Sequence, residues 1–144
     1  MKVVIQRSKK ANVKVNDKLI NEINSGLVIL VGFTHEDNEE TIDYIVKKII
    51  NLRIFDDENG IMNKSILETQ GEILSISQFT LYADTKKGNR PSYTKALGGE
   101  EATKLYDLFN QKLNKFIPTK TGIFGADMQV SLTNDGPVTI IIEK

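Results

Sequence analysis

Polar groups suited to catalysis are concentrated in one short stretch, Ser77-Gln78-Phe79-Thr80, directly after the apolar run of residues 73–76. That run predicts a buried strand, along which side chains alternate between faces. Ser77 and Thr80 can therefore share a site only if the strand ends or kinks between them. Backbone N–H groups released by a kink could form an oxyanion hole without any charged residue. Polar residues are common at the ends of strands, so spacing alone favours an ordinary strand end over a catalytic site for this stretch.

A second polar stretch, Asn-Asp-Gly-Pro-Val-Thr at residues 134–139, lies near the C-terminus. Asn-Asp-Gly-Pro is an ordinary turn composition, and only about 5–6% of X-Pro bonds in folded proteins are cis. Composition therefore favours a plain turn with a trans proline. A cis bond between Gly136 and Pro137 would instead turn both carbonyls to one side and make a rigid polar rim.

One histidine, His35, and no cysteine limit the available chemistry. A Ser-His-Asp triad would have to use His35, which lies at the entry to a predicted helix, where a surface or capping role is commoner. Without cysteine there are no thiolate nucleophiles and no cysteine-based zinc sites. The acids of residues 56–60 could hold a cation, but a turn explains them more simply. We expect no metal and no cofactor.

The charge is balanced overall and basic in one place. The formal net charge is +0, which argues against a general nucleic-acid coat but not against a local patch. Residues 85–95 contain Lys86, Lys87, Arg90 and Lys95 and no acid. A solvated loop is the commoner explanation of such a run.

With 144 residues, 40% of them hydrophobic, the chain is predicted to form one domain over residues 1–144. No apolar run approaches the roughly 18 residues of a membrane span. The N-terminal apolar run is too short for a signal peptide. We expect a soluble, cytoplasmic protein.

Apolar alternation and continuous apolar runs predict the strands that position these residues. The run at residues 27–33 predicts a strand buried on both faces. Tight turns are predicted at Asn16-Asp17 and Ser25-Gly26, and residues 61–71 are predicted to be irregular. The predicted strands are residues 2–7, 12–15, 19–20, 27–33, 52–55, 72–79, 128–132 and 138–142.

Two amphipathic helices are predicted. The first begins near Asp37 or Asn38, with Asp37 and Glu40 at capping-box spacing. The second runs from about Glu100 to Phe116, before Pro118. Their buried stripes are predicted to be Ile42, Ile45, Val46, Ile49 and Ile50 in the first helix and Leu105, Leu108, Phe109, Leu113 and Phe116 in the second.

Six segments, in order along nearly the whole chain, resemble those of the D-aminoacyl-tRNA deacylase family, formerly called D-Tyr-tRNA deacylases. A lone Ser-Gln-x-Thr would be a weak signal, but the ordered set is specific and outweighs the plainer explanations of both polar stretches. The segments are Gln6-Arg7, Asn51 to Phe55, Ser77 to Asp84, Lys87 to Tyr93, Thr121 to Val130, and Asn134 to Thr139.

The resemblance implies a mixed α/β fold of the α+β kind, a single β-rich, barrel-like or sandwich domain flanked by two main helices. It also implies a homodimer with the active site at the subunit interface and no membrane association. In the family, the Ser-Gln-x-Thr motif lines the pocket. That role carries over onto Ser77, Gln78, Phe79 and Thr80 as the catalytic stretch.

The family's Gly-cis-Pro motif, which enters the pocket from the partner subunit and excludes L-amino acids, carries over onto Gly136 and Pro137. Arg7 would brace this motif. The basic residues Lys86 and Lys87, together with Arg90, are candidates for tRNA contact.

The activity that the resemblance implies is hydrolysis of the ester between a D-amino acid and the 3′-terminal adenosine of tRNA, a chiral proofreading step in translation. Glycine has no side chain to reject, so mischarged glycyl-tRNA(Ala) is an expected second substrate. Because the chain offers no evident general base, we expect the tRNA 2′-OH to help activate water and the Phe79 N–H to stabilise the oxyanion. Thr80 as a nucleophile is the rival mechanism. A non-catalytic module that binds acylated tRNA ends is the alternative function.

Overall fold

In the computed structural model, which describes residues 1–144, a mixed six-stranded sheet curls into a nearly closed barrel and carries two helices. This confirms the predicted fold class. The strands are β1 (Lys2–Val15), β2 (Lys18–Ile23), β3 (Gly26–Gly32), β4 (Phe55–Asp56), β5 (Met62–Lys64), β6 (Glu72–Ser77), β7 (Thr119–Thr121) and β8 (Gln129–Glu143), and the helices are α1 (Glu39–Asn51) and α2 (Gly99–Asn114).

Strand β1 pairs with three other strands, β2, β3 and β8, and is antiparallel to each of them. Two strands were predicted here, at 2–7 and 12–15, and the structure joins them into one. Residues 2–8 pair with β3 and residues 11–15 pair with β2, so the two neighbours follow each other along one side of β1. The predicted Asn16-Asp17 turn is confirmed, and both residues have positive φ (49° and 61°).

The last strand, β8, corrects a second prediction. The predicted strands 128–132 and 138–142 are one strand, and residues 134–137 form no hairpin turn. Gln6 pairs with Thr139 and Ser8 with Asn134, so β8 advances five residues while β1 advances two. The surplus forms a bulge inside the strand, because continued pairing with β1 on both sides holds the chain in the sheet.

Strands β3 and β6 run parallel and lie at the centre of the sheet. As predicted, β3 is buried on both faces. Leu27 and Ile29 belong to the larger core, between the sheet and the helices, whereas Val28 belongs to a smaller core on the other face of the sheet. This double burial is the reason that the run is continuously apolar.

Helix α1 buries the predicted stripe, but its cap differs from the prediction. Asn38 is the N-cap, and its side chain accepts a hydrogen bond from the Thr41 N–H at 3.1 Å. Asp37 instead accepts the Thr34 N–H at 2.8 Å and pairs with the buried ammonium of Met1. The Asp37 carboxylate, which the capping-box spacing predicted to cap the helix, is therefore engaged in an ion pair with the N-terminus.

Helix α2 ends at Asn114, two residues before the predicted end. Phe116 was predicted to be buried and is 55% exposed, because the chain turns after the helix and buries Ile117 instead. Tyr106 and Phe109 are the helix's large buried aromatic residues. Neither helix is long and apolar enough to cross a membrane.

Between α1 and β6 the prediction was least accurate. The predicted strand 52–55 is strand only at Phe55, the first residue of β4. Strand β5 and a 3₁₀ turn, Ile66–Glu68, lie in the region predicted to be irregular. Their regular structure depends on pairing with β4 and on packing of Ile66 into the core, neither of which leaves a local periodic pattern.

Candidate active site

The buried strand β6 ends at Ser77, and a 3₁₀ turn begins at Phe79 and runs to Tyr82. Gln78 lies between them with φ −146° and ψ 81°, and its N–H donates to the Val31 carbonyl at 2.7 Å. This is the break between Ser77 and Thr80 that a shared site requires. The polar stretch therefore lies at the end of the strand and not along one of its faces.

The 3₁₀ turn presents backbone N–H groups at its start. The Leu81 N–H donates to the Gln78 carbonyl at 3.2 Å, and the Ala83 N–H donates to the Thr80 carbonyl at 3.0 Å. The first N–H groups of such a turn, those of Phe79 and Thr80, have no acceptor within it. Two adjacent donors of this kind can stabilise a developing oxyanion.

A cavity of about 300 Å³ opens beside the turn. Ser77, Gln78 and Phe79 line it, whereas Thr80 does not and instead accepts a hydrogen bond from the Gln78 side-chain amide. Asp127 is the only titratable residue in the lining. The other lining residues are Val31, Gly32, Phe33, Ile76, Leu97, Ala102, Phe124, Gly125, Ala126, Met128 and Val130. A largely apolar pocket with a few convergent polar groups suits a small organic ligand.

One wall of this cavity, residues 124–128, was not assigned to the site by sequence analysis. A signal for this wall is present in the sequence, because the run at residues 121–126 contains two glycines, a composition that suits close backbone approach. At Gly122 a Cβ would lie 2.5 Å from the Met128 sulfur and 3.2 Å from the Ile76 Cδ1. The missing side chain lets Met128 and Ile76, both of which line the cavity, pack together.

The basic loop adjoins the site through an aromatic contact. Tyr93 packs edge-on against Phe79, with ring centroids 5.0 Å apart. Lys86, Lys87 and Arg90 are exposed, form no ion pair and do not line the cavity. The loop therefore places free positive charge outside the cavity, close to its Phe79 side.

The second polar stretch projects from the β8 bulge. Gly136 and Pro137 are exposed, and the peptide bond between them is cis. Arg7, 9% exposed, donates to the backbone carbonyls of Ile54 (2.8 Å) and Asp135 (3.2 Å). A Cβ on Gly136 would lie 3.0 Å from the Arg7 Nη2, so the guanidinium lies directly against the glycine.

Asn134 belongs to the same polar stretch, and sequence analysis assigned it no role of its own. Its Oδ1 accepts the Val138 N–H at 3.1 Å, and its Nδ2 donates to the Thr139 hydroxyl at 2.7 Å. Gln6 also donates to that hydroxyl, at 3.3 Å. The asparagine is therefore a side-chain bridge under the Gly136-Pro137 segment.

The two motifs line different cavities. Neither Gly136 nor Pro137 lines the 300 Å³ cavity, whereas Arg7 and Asp135 line a separate cavity of about 220 Å³.

The histidine and two tyrosines, Tyr82 and Tyr106, are not placed to act as general bases. His35 is exposed, and its Nε2 donates to the Thr94 carbonyl at 3.1 Å, in agreement with the predicted surface role. Burial, with smaller contributions from Asp37 and Glu143, raises the pKa of Tyr82 well above its usual range. Burial likewise raises the pKa of Tyr106. Both tyrosines are therefore protonated at neutral pH.

Comparison with known proteins gives one family and two solved structures. A family model described as D-Tyr-tRNA(Tyr) deacylase matches residues 4–143. A structure described as c-Myc DNA Unwinding Element Binding Protein is 42% identical, with a TM-score of 0.95 over 100% of this chain and 99% of that one. A structure described as a probable eukaryotic D-amino acid tRNA deacylase is 17% identical, with a TM-score of 0.84 over 98% of this chain and 97% of that one. The latter likeness concerns the fold alone.

Proposed function

We propose that two copies of the chain build each active site. The chain belongs to the D-Tyr-tRNA(Tyr) deacylase family and is a D-aminoacyl-tRNA deacylase. One copy contributes the Ser77–Thr80 stretch and its cavity, and the other contributes the Gly136-Pro137 segment. The observation that carries this proposal is that each motif is well formed in the chain and that they share no cavity within it.

The exposed edge of β8 supports a dimer. This 15-residue strand pairs only with β1, so its outer edge has unpaired backbone groups. Its inward side chains, among them Val138, Ile140 and Ile142, are only partly buried although they pack on the main core. Long open edges of this kind are usually covered. A second copy on this edge would cover it and bring the neighbouring bulge to a partner.

The proposed substrate is the ester that joins a D-amino acid to the 3′-terminal adenosine of tRNA. The cavity beside Phe79 would receive this end. The N–H of Phe79 would donate to the carbonyl oxygen as negative charge develops in the transition state. The ester carbon is attacked by water, the bond to the 3′-oxygen breaks, and the 3′-hydroxyl and the D-amino acid are released.

In this proposal the neighbouring 2′-hydroxyl of the substrate accepts a proton from the attacking water and passes its own proton to the departing 3′-oxygen. The one carboxylate of the cavity, Asp127, is exposed and forms no hydrogen bond with the Ser77–Thr80 stretch, so it is not assigned as the base. Thr80 is not a nucleophile here, since its hydroxyl contacts the Gln78 amide and no histidine, lysine or carboxylate. The chain's contribution is positioning of the ester and stabilisation of charge.

Chirality would be selected by backbone rather than by side chains. Carbonyl oxygens of Gly136 and Pro137 of the partner subunit would accept hydrogen bonds from the substrate ammonium and occupy the volume that an L side chain needs. A steric clash with rigid backbone rejects L-aminoacyl substrates strongly and makes no contact that distinguishes one D side chain from another. Glycine would pass the same rim, so glycyl-tRNA(Ala) is a proposed second substrate.

The basic loop is the proposed contact for the tRNA near its 3′ end. Lys86, Lys87 and Arg90 carry unpaired charge, and Tyr93 fixes the loop against Phe79. Phosphate contacts by such residues position a nucleic acid without reading its sequence. The 42% identical relative is described as binding a DNA element, which supports a nucleic-acid-binding surface.

The experiment that tests the function compares D-Tyr-tRNA and L-Tyr-tRNA in parallel, with purified protein treated with a chelator. Rapid loss of the D-ester alone is the expected result. Loss of both esters would contradict the Gly136-Pro137 rim but keep the hydrolase. Loss of neither, with tRNA still bound, would favour the alternative function, a non-catalytic binder of acylated tRNA ends.

A further inference from the structure

Away from the cavity, α1 carries a stripe of exposed cations around one aromatic ring. Tyr44, Lys47, Lys48 and Asn51 fall at i, i+3, i+4 and i+7, so they share one face of the helix. With Arg53 they line an open depression of about 520 Å³. The buried isoleucines occupy the opposite face, so nothing in the fold itself requires basic residues here.

The charges of this stripe are not neutralised. Lys47, Lys48 and Arg53 form no ion pair with any carboxylate, and neither does Lys144, which lies beside the same ring. The Nζ atoms of Lys48 and Lys144 lie 5.6 Å and 5.1 Å from the Tyr44 ring centroid. Like charges gathered around a half-exposed ring repel one another, and an anionic partner would relieve that repulsion.

The carboxylates close to the stripe do not neutralise it. Asp43, on the next face of α1, pairs with Lys112. Glu143 pairs with Lys2 at 3.4 Å. Glu40, one helical turn before Tyr44, makes no ion pair with any of the stripe's cations. Four unpaired cations (Lys47, Lys48, Arg53 and Lys144) against the single unpaired carboxylate of Glu40 leave this surface positive on a chain whose net charge is +0.

A chain of contacts connects the stripe to the candidate active site. The chain neighbour of Lys144 is Glu143, which binds Lys2, and the Lys2 Nζ lies 5.1 Å from the centroid of the Tyr82 ring and 3.5 Å from the Leu81 carbonyl. Leu81 and Tyr82 belong to the same 3₁₀ turn as Phe79 and Thr80. A chain of contacts that includes the Lys2–Glu143 ion pair therefore connects the α1 stripe to the turn that would hold the scissile ester.

We propose that Lys47, Lys48, Arg53 and Lys144, with Tyr44 at their centre, form a second RNA-binding surface that contacts backbone phosphates of the tRNA. We call it the α1 basic patch. It rests on the proposed function, because its partner is the RNA whose 3′ end enters the cavity. Phosphate contacts of this type confer affinity and orientation without sequence preference.

The test measures the affinity of the protein for deacylated tRNA(Tyr) as a function of KCl concentration. The variant Lys47→Gln/Lys48→Gln is expected to raise Kd about tenfold and to lower the salt slope by about 2. The matched control, Lys14→Gln/Lys18→Gln, removes the same charge from two exposed lysines of β1 and β2 that likewise form no ion pair, and it is expected to change Kd less than about twofold. Equal losses in both variants, or none in the first, would overturn the patch.

A second readout separates this proposal from the proposed function. Hydrolysis of 3′-O-(D-tyrosyl)adenosine, a substrate without phosphate, is expected to be the same in the α1 variant and in the unsubstituted protein, while kcat/KM for D-Tyr-tRNA falls. If the unsubstituted protein hydrolyses neither substrate, the proposed function fails, and the tRNA affinities still decide whether the patch binds RNA. Equal loss on both substrates would contradict a role confined to phosphate binding.

Discussion

The side-chain oxygen of Asn134 accepts the backbone N–H of Val138 at 3.1 Å, and this bond closes the strand around the Gly136-Pro137 segment. The Nδ2 of the same side chain binds the Thr139 hydroxyl at 2.7 Å. One asparagine thus holds both ends of the segment that we propose to reject L-amino acids.

Asn134→Ala is expected to lower the free energy of unfolding by about 1–3 kcal/mol, because it leaves a partly buried N–H without an acceptor. Hydrolysis of L-Tyr-tRNA should rise relative to that of D-Tyr-tRNA, since the rim is less firmly held. Paired deacylation assays and urea unfolding measure both effects. The control is Gln6→Ala, which removes only the weaker bond to Thr139. Unchanged chiral selectivity in Asn134→Ala would count against this role.

Gly136→Ala is expected to cost about 1–3 kcal/mol of stability, since φ is +120° and a Cβ would lie 2.9 Å from the Val138 Cγ2. Displacement of Arg7 and of the segment should also reduce hydrolysis of D-Tyr-tRNA. Gly60→Ala is the matched control, because Gly60 has φ +73° but no atom within 4 Å of its added Cβ. If both variants lose the same activity, crowding at Gly136 is not the cause.

Thr80→Ala is expected to keep measurable activity, with a loss on the order of tenfold or less in kcat, because Thr80 only orients the Gln78 amide. Thr80→Ser, which keeps the hydroxyl, should lose still less. Single-turnover deacylation of D-Tyr-tRNA measures both variants. A fall of about 10⁴-fold or more in Thr80→Ala would establish the rival mechanism with a nucleophilic threonine.

Mixing two variants, each of low activity and each defective in a different motif, tests the shared site directly. If Gly136→Ala and a variant disabled at Gln78 are co-refolded, the heterodimer contains one site built from two unsubstituted halves. With random pairing, about a quarter of full activity should return, as two-fold symmetry requires. Each variant refolded alone is the control. No recovery, with heterodimers demonstrated by native mass spectrometry, would place both motifs of a working site in one chain.

Stability is expected to fall at alkaline pH. Burial raises the pKa of Tyr82 and of Tyr106 above the usual 10.0, so the folded state holds these protons more tightly than the unfolded state does. The stabilisation is complete below about pH 10 and is lost as pH rises toward the folded-state pKa values. Urea unfolding at neutral pH and above about pH 10 measures the loss.

The phenylalanine variants isolate this effect. Tyr82→Phe should flatten the alkaline fall without loss of a hydrogen bond. Tyr106→Phe should flatten it too, but at a cost of about 1 kcal/mol at neutral pH, because the Tyr106 hydroxyl donates to the Ser75 carbonyl at 2.8 Å. An alkaline fall that persists in the double variant would assign the effect to other groups.

Sequence alone determined the features that arise from local periodicity. The double-sided burial of β3, the buried stripe of α1 and the Asn16-Asp17 turn follow from neighbouring residues. The ordered motifs also indicated the family and predicted Ser77–Thr80 and Gly136-Pro137 as site residues. These features can be predicted from sequence because each depends on residues that lie close together along the chain.

Tertiary structure determined the features that depend on contacts between residues far apart in the sequence. The bulge that replaces the predicted turn at 134–137 exists because β1 pairs with both halves of β8. Asp37 does not cap α1, because its carboxylate pairs with the Met1 ammonium. The cavity wall at residues 124–128 and the aromatic link from Phe79 to Tyr93 likewise bring together residues far apart in the chain. Such contacts are set by packing and pairing energies that no local pattern encodes.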